Sequence, residues 1–295
     1  MTGATAVTAD LLREMPLPQP SESGDKDERG RVLVVGGSPE VPGGALLAGV
    51  AALRAGAGKL QIATSASIAP HLGLAVPEAL VIAVPENAGG GMGEGALEAL
   101  LPRARRCDAL VIGPGILDEA GAATLAGGLL DALDGPAFVL DAGALACLGD
   151  LREPMRKQGG RVVVTPHAGE MAGLLGITRD EVVADPLGTA RRAAAMLQSV
   201  VVLKGPTTYI VVPQGGAWSF SQGSVGLATS GSGDTLAGIV GGLLARGASP
   251  LHAALWGVYL HGEAGNRLIR VQGQLGFLAR ELLDQIPRIM QDLKA

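Results

Sequence analysis

Five short apolar runs constrain the fold of this chain more than any other feature, because each of them stops at a glycine or a polar residue. The runs are Arg31 to Val35, Ala109 to Ile112, Ala137 to Leu140, Arg161 to Val164 and Val200 to Leu203. They lead into Gly36-Gly37-Ser38, Gly113-Pro114-Gly115, Asp141-Ala142-Gly143, Thr165-Pro166-His167 and Lys204-Gly205. Strands apolar at nearly every position belong to a sheet buried on both faces. Polar residues gathered at one end of such a sheet build a single cleft, where open α/β sheets bind ligands.

The segments between the runs fit the same plan. A helix is predicted from about Gly43 to Ala55 and a strand over Lys59 to Thr64, which with the first run make a right-handed parallel unit. Leu80 to Val84 predicts another strand, Asn87 to Gly95 a surface loop, and Glu170 to Leu175 and Leu187 to Ser199 helices. Tyr209 to Pro213 and Gly216 to Ser221, joined at Gln214-Gly215, read as an antiparallel pair at the sheet edge, and two late helices cover Leu251 to about Ile269 and Leu275 to Leu293. Apolar residues make up 47% of the 295, yet aromatics only 2%, so the core is filled by Ala, Val, Leu and Gly, and layers can approach closely. The fold class is α/β, a mostly parallel central sheet with helices on both faces. Residues 1–28, with Pro16, Pro18 and Pro20 followed by a charged stretch, are expected to form a flexible extension ahead of one domain over 29–295.

Several functions are set aside by what is missing. No apolar stretch is long enough for a membrane helix, and Met1 to Met15 has no secretory pattern. Cys107 and Cys147 are too few for a disulfide framework or zinc site and are expected in the core. A net charge of −5, with only Arg103, Arg105 and Arg106 as a basic group, gives no footprint for nucleic acid. A cytoplasmic protein handling small molecules is expected. The Gly36 to Gly44 loop lacks dinucleotide-fingerprint spacing, and Gly58-Lys59-Leu60 lacks the rest of a P-loop.

The chemistry is expected where Thr229-Ser230-Gly231-Ser232-Gly233-Asp234 runs into a buried helix starting at about Gly233. A helix start offers unpaired amides to an anion, and glycines let phosphate oxygens approach, so Gly231, Ser232 and Gly233 are a candidate anion hole. Asp234 is either the helix cap or a carboxylate that removes a proton or holds a metal. Asp141 reads as a cap or a cleft carboxylate, with the cap favoured. Glu170 could cap its helix or reach a metal or phosphate. His167, aimed by Pro166, is a structural or a ligand-binding histidine, and Lys204 either lies over a phosphate or snorkels at the surface. Trp218, Trp256, His252 and Met171 read as packing residues, while His261 and Glu263 could be either.

Taken in order, Gly-Gly-Ser-x4-Gly-Gly-Ala, Gly-Pro-Gly, Leu-Asp-Ala-Gly-Ala-Leu, Thr-Pro-His-x-Gly-Glu, Leu-Lys-Gly and Gly-x-Gly-Asp-x-Leu-x-Gly closely resemble the ADP-dependent NAD(P)H-hydrate dehydratases of the ribokinase-like superfamily. The resemblance covers about Arg31 to the C-terminus. It implies a ribokinase-like three-layer αβα fold and repair of hydrated NADH and NADPH, the (6S)-NAD(P)HX epimer, at the expense of ADP, with ATP possible, releasing AMP and phosphate. It implies Mg2+, a homo-oligomer with a tetramer favoured, and a separate epimerase, since about 30 residues ahead of the first strand are too few for such a domain. By the same resemblance Gly44, Gly115, His167 and Asp234 contact the hydrated dinucleotide, and Lys204, Gly205, Pro206, Thr207, Thr208 and Gly233 bind the adenine nucleotide. Two departures stand out: relatives often carry Ala at the Gly44 position, and Gly-Gly-Thr-Gly-Asp where this chain has Ser230-Gly231-Ser232-Gly233-Asp234. Both are small-for-small and are expected to preserve backbone access. The rival functions are a vitamin-alcohol kinase of the same superfamily and a non-catalytic nucleotide-binding regulator.

Overall fold

A computed structural model describes residues 3–21, 25–146 and 148–294. Its strands are β1 (Thr5–Ala6), β2 (Arg31–Val35), β3 (Lys59–Ser65), β4 (Ala79–Val84), β5 (Ala109–Ile112), β6 (Ala137–Leu140), β7 (Val162–Val164), β8 (Val200–Leu203), β9 (Thr208–Val211) and β10 (Ala217–Phe220). They form one sheet in the order β1-β10-β9-β8-β7-β6-β5-β2-β3-β4. Only the β8–β9 and β9–β10 pairs are antiparallel; the others are parallel. Alternation along the strands divides the apolar side chains between two cores. Val32, Val34, Val111, Val139 and Val202 face helices Gly43–Arg54, Ser232–Ala245, Pro250–Gln272 and Gln285–Lys294. Leu33, Leu110, Phe138, Val162 and Val201 face helices Ala96–Ala104, Glu119–Ala132, Ala168–Leu175 and Pro186–Leu197. The result is a three-layer αβα arrangement with helices on both faces of a mostly parallel sheet.

The lack of aromatics has a direct consequence for layer spacing. A Cβ at Gly238 would lie 2.2 Å from the Ala48 carbonyl oxygen, and one at Gly242 would lie 2.4 Å from that of Ala52. Helices Gly43–Arg54 and Ser232–Ala245 therefore run side by side in parallel, in backbone contact at one-turn intervals. Continuing that step toward their N-termini sets Gly44 level with Asp234, so two helix starts meet at one end of the sheet.

The N-terminal segment differs from expectation. β1 extends the sheet beyond β10, with Thr5 opposite Trp218 and Ala6 opposite Ser219, so the edge expected of the antiparallel pair belongs to β1. Helix Ala9–Glu14 follows with Leu12 fully buried, and the Met15 carbonyl accepts from Trp256 Nε1 at 2.8 Å. The Pro18 carbonyl accepts from Arg246 Nη2 at 2.8 Å. Residues 3–21 thus pack against the body of the protein, where a flexible extension was expected. Val7, Leu12 and Leu17 are too sparse to make a sequence period, but each fills a gap between other elements.

Other departures are smaller. Leu275 to Leu293 is divided into helices Ala279–Leu282 and Gln285–Lys294. Met171 and Trp256 are buried as expected, while Trp218 and His252 are half-buried. Cys107 is buried, which pushes its thiol up to about 12; Cys147 lies outside the described residues. Among the described residues no helix is long and apolar enough to cross a membrane.

Candidate active site

The ends of β6, β7 and β8 assemble the first part of the site. The Lys204 amide donates to the Pro166 carbonyl at 2.8 Å, which ties the end of β8 to that of β7. From there Lys204 Nζ donates to Asp141 Oδ1 at 2.9 Å, and Thr165 Oγ1 donates to the same oxygen at 2.7 Å. Asp141 is 1% exposed. It precedes the one-turn helix Ala142–Leu145, but its side chain makes no capping bond there. The cap expected of Asp141 is thus replaced by a buried carboxylate held by a cation, because Lys204 reaches it across β7. Burial works against the Lys204 charge, yet Asp141 and Glu170 outweigh it and hold the ammonium above its ordinary pKa.

His167 and Glu170 organise the next helix start. His167 Nδ1 accepts from the amides of Gly169 at 2.9 Å and Glu170 at 3.2 Å, and Glu170 Oε2 accepts from the His167 amide at 2.7 Å. This reciprocal box caps helix Ala168–Leu175. Of the two roles open to Glu170, capping is therefore the one seen, although Oε2 also lies 3.9 Å from Lys204 Nζ. His167 Nε2 lies 3.4 Å from Glu170 Oε1, and the His167 side chain is 59% exposed. Glu170 is itself raised in pKa, chiefly by burial.

Helix Ser232–Ala245 supplies the remaining carboxylate. Its N-cap is Gly231, at φ +85°, a conformation that side chains rarely adopt, and a Cβ there would lie 2.4 Å from Leu47 Cδ1. Asp234 is the third helical residue, so the reading of Asp234 as the N-cap is corrected. The reason is that glycine tolerates the left-handed turn and begins the helix three residues earlier. Burial pushes Asp234 up to about 6, with Asp141 and Glu170 adding to the shift and Lys204 opposing it. Of the three residues proposed as an anion hole, Ser232 already donates its amide to the Thr229 carbonyl at 3.2 Å. The first helical turn leaves the amides of Gly233 and Asp234 free of intrahelical acceptors. A Cβ at Gly233 would stand 3.3 Å from Lys204 Nζ and 4.0 Å from Asp141 Oδ2, so the helix start abuts the Lys204–Asp141 pair.

The other residues singled out in the sequence flank this centre. Gly205, Pro206 and Thr207 link β8 to β9, which Thr208 begins; Gly205 and Pro206 are exposed beside Lys204. Gly44 and Gly115 lie on the far side, beyond β7 and β6, after β2 and β5. A Cβ at Gly44 would come within 2.5 Å of the Gly115 amide nitrogen. A side chain at this position would therefore require the Gly113–Gly115 turn to move, against the expectation that a small replacement preserves backbone access. Asp141 carries no cap signature distinct from a site signature, and only the fold reveals it as part of the centre. Glu263 pairs with Arg267 at 3.4 Å and Arg270 at 3.5 Å along its own helix, away from the cluster. Among the described residues no group of three or more His, Cys, Asp or Glu side chains is placed to hold a metal ion.

The family model described as NAD(P)H-hydrate dehydratase matches residues 32–288. A relative from Xanthomonas campestris, named ADP-dependent (S)-NAD(P)H-hydrate dehydratase, is 49% identical over 297 residues, covering 99% of each chain. The crystal structure of the ADP/ATP-dependent NAD(P)H-hydrate dehydratase of Bacillus subtilis, co-crystallised with ATP/Mg2+, superposes with a TM-score of 0.84 at 32% identity, over 99% of this chain and 100% of that one. A ribokinase-like superfamily protein of Enterococcus faecalis superposes with a TM-score of 0.82 at 25% identity, over 99% of this chain and 97% of that one. With an ordered motif set, a matching fold and a family model spanning nearly all of the folded chain, this protein belongs to the NAD(P)H-hydrate dehydratase family.

Proposed function

We infer that this chain is an ADP-dependent (S)-NAD(P)H-hydrate dehydratase, a hydro-lyase that returns hydrated NADH and NADPH to their reduced forms with release of AMP and phosphate. The observation that carries the mechanism is Asp234: a carboxylate on the first turn of a helix, beside Lys204, with its pKa raised to about 6. A carboxylate of that pKa is ionised at neutral pH yet more basic than an ordinary aspartate, and can take a proton from a hydroxyl. Asp234 takes the proton of the ring hydroxyl as that oxygen attacks the β-phosphorus of ADP, and the bond to AMP breaks. Charge on the transferring group is met by the amides of Gly233 and Asp234 and by the Lys204 ammonium. Phosphate is a far better leaving group than hydroxide. Its departure from the ring, with loss of the neighbouring C–H proton, restores the double bond.

Lys204, Gly205, Pro206, Thr207, Thr208 and Gly233 are the proposed adenine-nucleotide wall, and Gly44, Gly115 and His167 the dinucleotide wall. The donor set does not fit a resident metal: Asp141 is held by Lys204 and Thr165, and Glu170 is engaged in its helix cap. Magnesium fits instead as the counter-ion brought in on the nucleotide phosphates, which need few protein ligands. The reading is tested with hydrated NADH, magnesium and either ADP or ATP. Recovery of the reduced-nicotinamide absorbance band, faster with ADP, is expected. Absence of recovery with both nucleotides, or accumulation of a stable phosphorylated product, overturns it.

A further inference from the structure

His261 is a half-buried titratable group that the mechanism above does not use. It lies on helix Pro250–Gln272, and its Nε2 is 2.9 Å from Ser232 Oγ, in a hydrogen bond with the first residue of the Asp234 helix. Ser232 is itself only 4% exposed. Burial and the Lys204 charge, opposed by a backbone contact with Ser232, bring the imidazole down to about 4, so the ring is neutral at neutral pH. The helix carrying it is fixed on the same side by two close approaches. A Cβ at Gly262 would lie 2.2 Å from Phe220 Cε1, and one at Gly265 would lie 2.8 Å from Leu227 Cγ. His261 is thus a stationary anchor.

Ser232 needs such an anchor. The chain enters the catalytic helix through exposed residues, among them Ala228 and Ser230, and then through the left-handed Gly231. Ser232 is the first side chain after this hinge to be held by a bond to another element. Behind it come Gly233 and Asp234, whose amides and carboxylate must sit within tenths of an ångström of the transferring phosphoryl group.

We propose that His261 is a positioning residue for phosphoryl transfer, acting through its hydrogen bond to Ser232 to fix the first turn of the helix that carries Gly233 and Asp234. The inference rests on the dehydratase reading. It predicts a cost in the transition state and little cost in ground-state nucleotide binding. Its partner is a side chain, so removing either end of the bond has the same effect, and removing both adds nothing.

The test compares Ser232→Ala, His261→Leu, their double variant and His261→Gln, whose amide nitrogen reaches nearly the place of Nε2. Expected are a fall in kcat of about 10- to 100-fold in both single variants, an unchanged KM for hydrated NADH, no further loss in the double variant, and substantial recovery in His261→Gln. A kcat within about twofold of the parent in Ser232→Ala overturns the proposal, as do additive losses or a lowered melting temperature with intact kcat. If His261→Leu does not fold, Ser232→Ala and His261→Gln still decide. Imidazole 15N NMR reads the same bond without turnover: the Nε2 resonance of a hydrogen-bonded neutral ring is expected, shifting in Ser232→Ala, and no shift counts against the bond. A parent protein without turnover would instead refute the dehydratase reading and leave the NMR result standing.

Discussion

The basicity of Asp234 is set by burial and by three charged neighbours, and each can be altered separately. Burial and the carboxylates of Asp141 and Glu170 raise its pKa to about 6, while Lys204 pulls the other way. A base must be deprotonated to act, so kcat/KM is expected to fall as pH drops through about 6. In Asp141→Asn the repulsion from Asp141 is gone and Lys204 is released, so this acidic limb moves to lower pH; a limb that stays in place would show that Asp234 is not the group titrating. Asp234→Asn is expected to fold and bind nucleotide but to lose about two to four powers of ten in kcat, read by calorimetry and initial rates. At this scale the sequence was informative about Asp234 and Lys204, whose neighbours are glycines, and ambiguous about Asp141. An aspartate after an apolar strand is written the same way whether it caps the next turn or is buried beneath a lysine. Only the reach of Lys204 over β7 distinguishes them. The Ser232–His261 bond was equally hidden, since it joins residues 29 positions apart on two successive helices, a spacing that carries no sequence period.

Among the elements, the parallel contact between helices Gly43–Arg54 and Ser232–Ala245 sets where the two helix starts fall. Gly238→Val is expected to destabilise the protein by about 1–3 kcal/mol, because its side chain would press on the Ala48 backbone. The check is the denaturant midpoint, and an unchanged midpoint would contradict backbone contact between the helices. Strand ends were legible because runs such as Val200 to Leu203 are apolar throughout and stop abruptly. Helix Glu119–Ala132 was not anticipated, because Gly121, Gly127 and Gly128 interrupt its apolar period and small residues weaken what remains. Tertiary packing supplies that order: Leu125, Ala126, Leu129 and Leu130 all enter the second core.

For the molecule as a whole, the functional end and the N-terminal segment lie at opposite ends of the Asp234 helix. Pro18 docks on Arg246, just past the last of the 14 residues of that helix; at 1.5 Å per residue this is about 20 Å from its start. Deleting residues 1–18 removes Val7, Leu12 and Leu17 from the core. Each buried side chain is worth about 1.5–3 kcal/mol at most, so a loss of several kcal/mol in stability is expected. A red-shifted tryptophan emission should accompany it, because the deletion opens Trp256, bonded to the Met15 carbonyl, and Trp218, paired with Thr5, to solvent, while kcat of the folded fraction stays near that of the full chain. An unchanged denaturant midpoint would contradict a packed segment. The candidate site residues Asp141, His167 and Lys204 follow the carboxyl ends of parallel strands β6, β7 and β8, and what happens there can be read from the products. When ADP, magnesium and hydrated NADH are incubated with the protein and AMP, phosphate and NADH are quantified together, the three are expected to appear in equal amounts and to disappear together in Asp234→Asn. NADH recovered without AMP, or AMP formed with a phosphorylated dinucleotide persisting in place of NADH, would contradict a phosphorylation-driven dehydration.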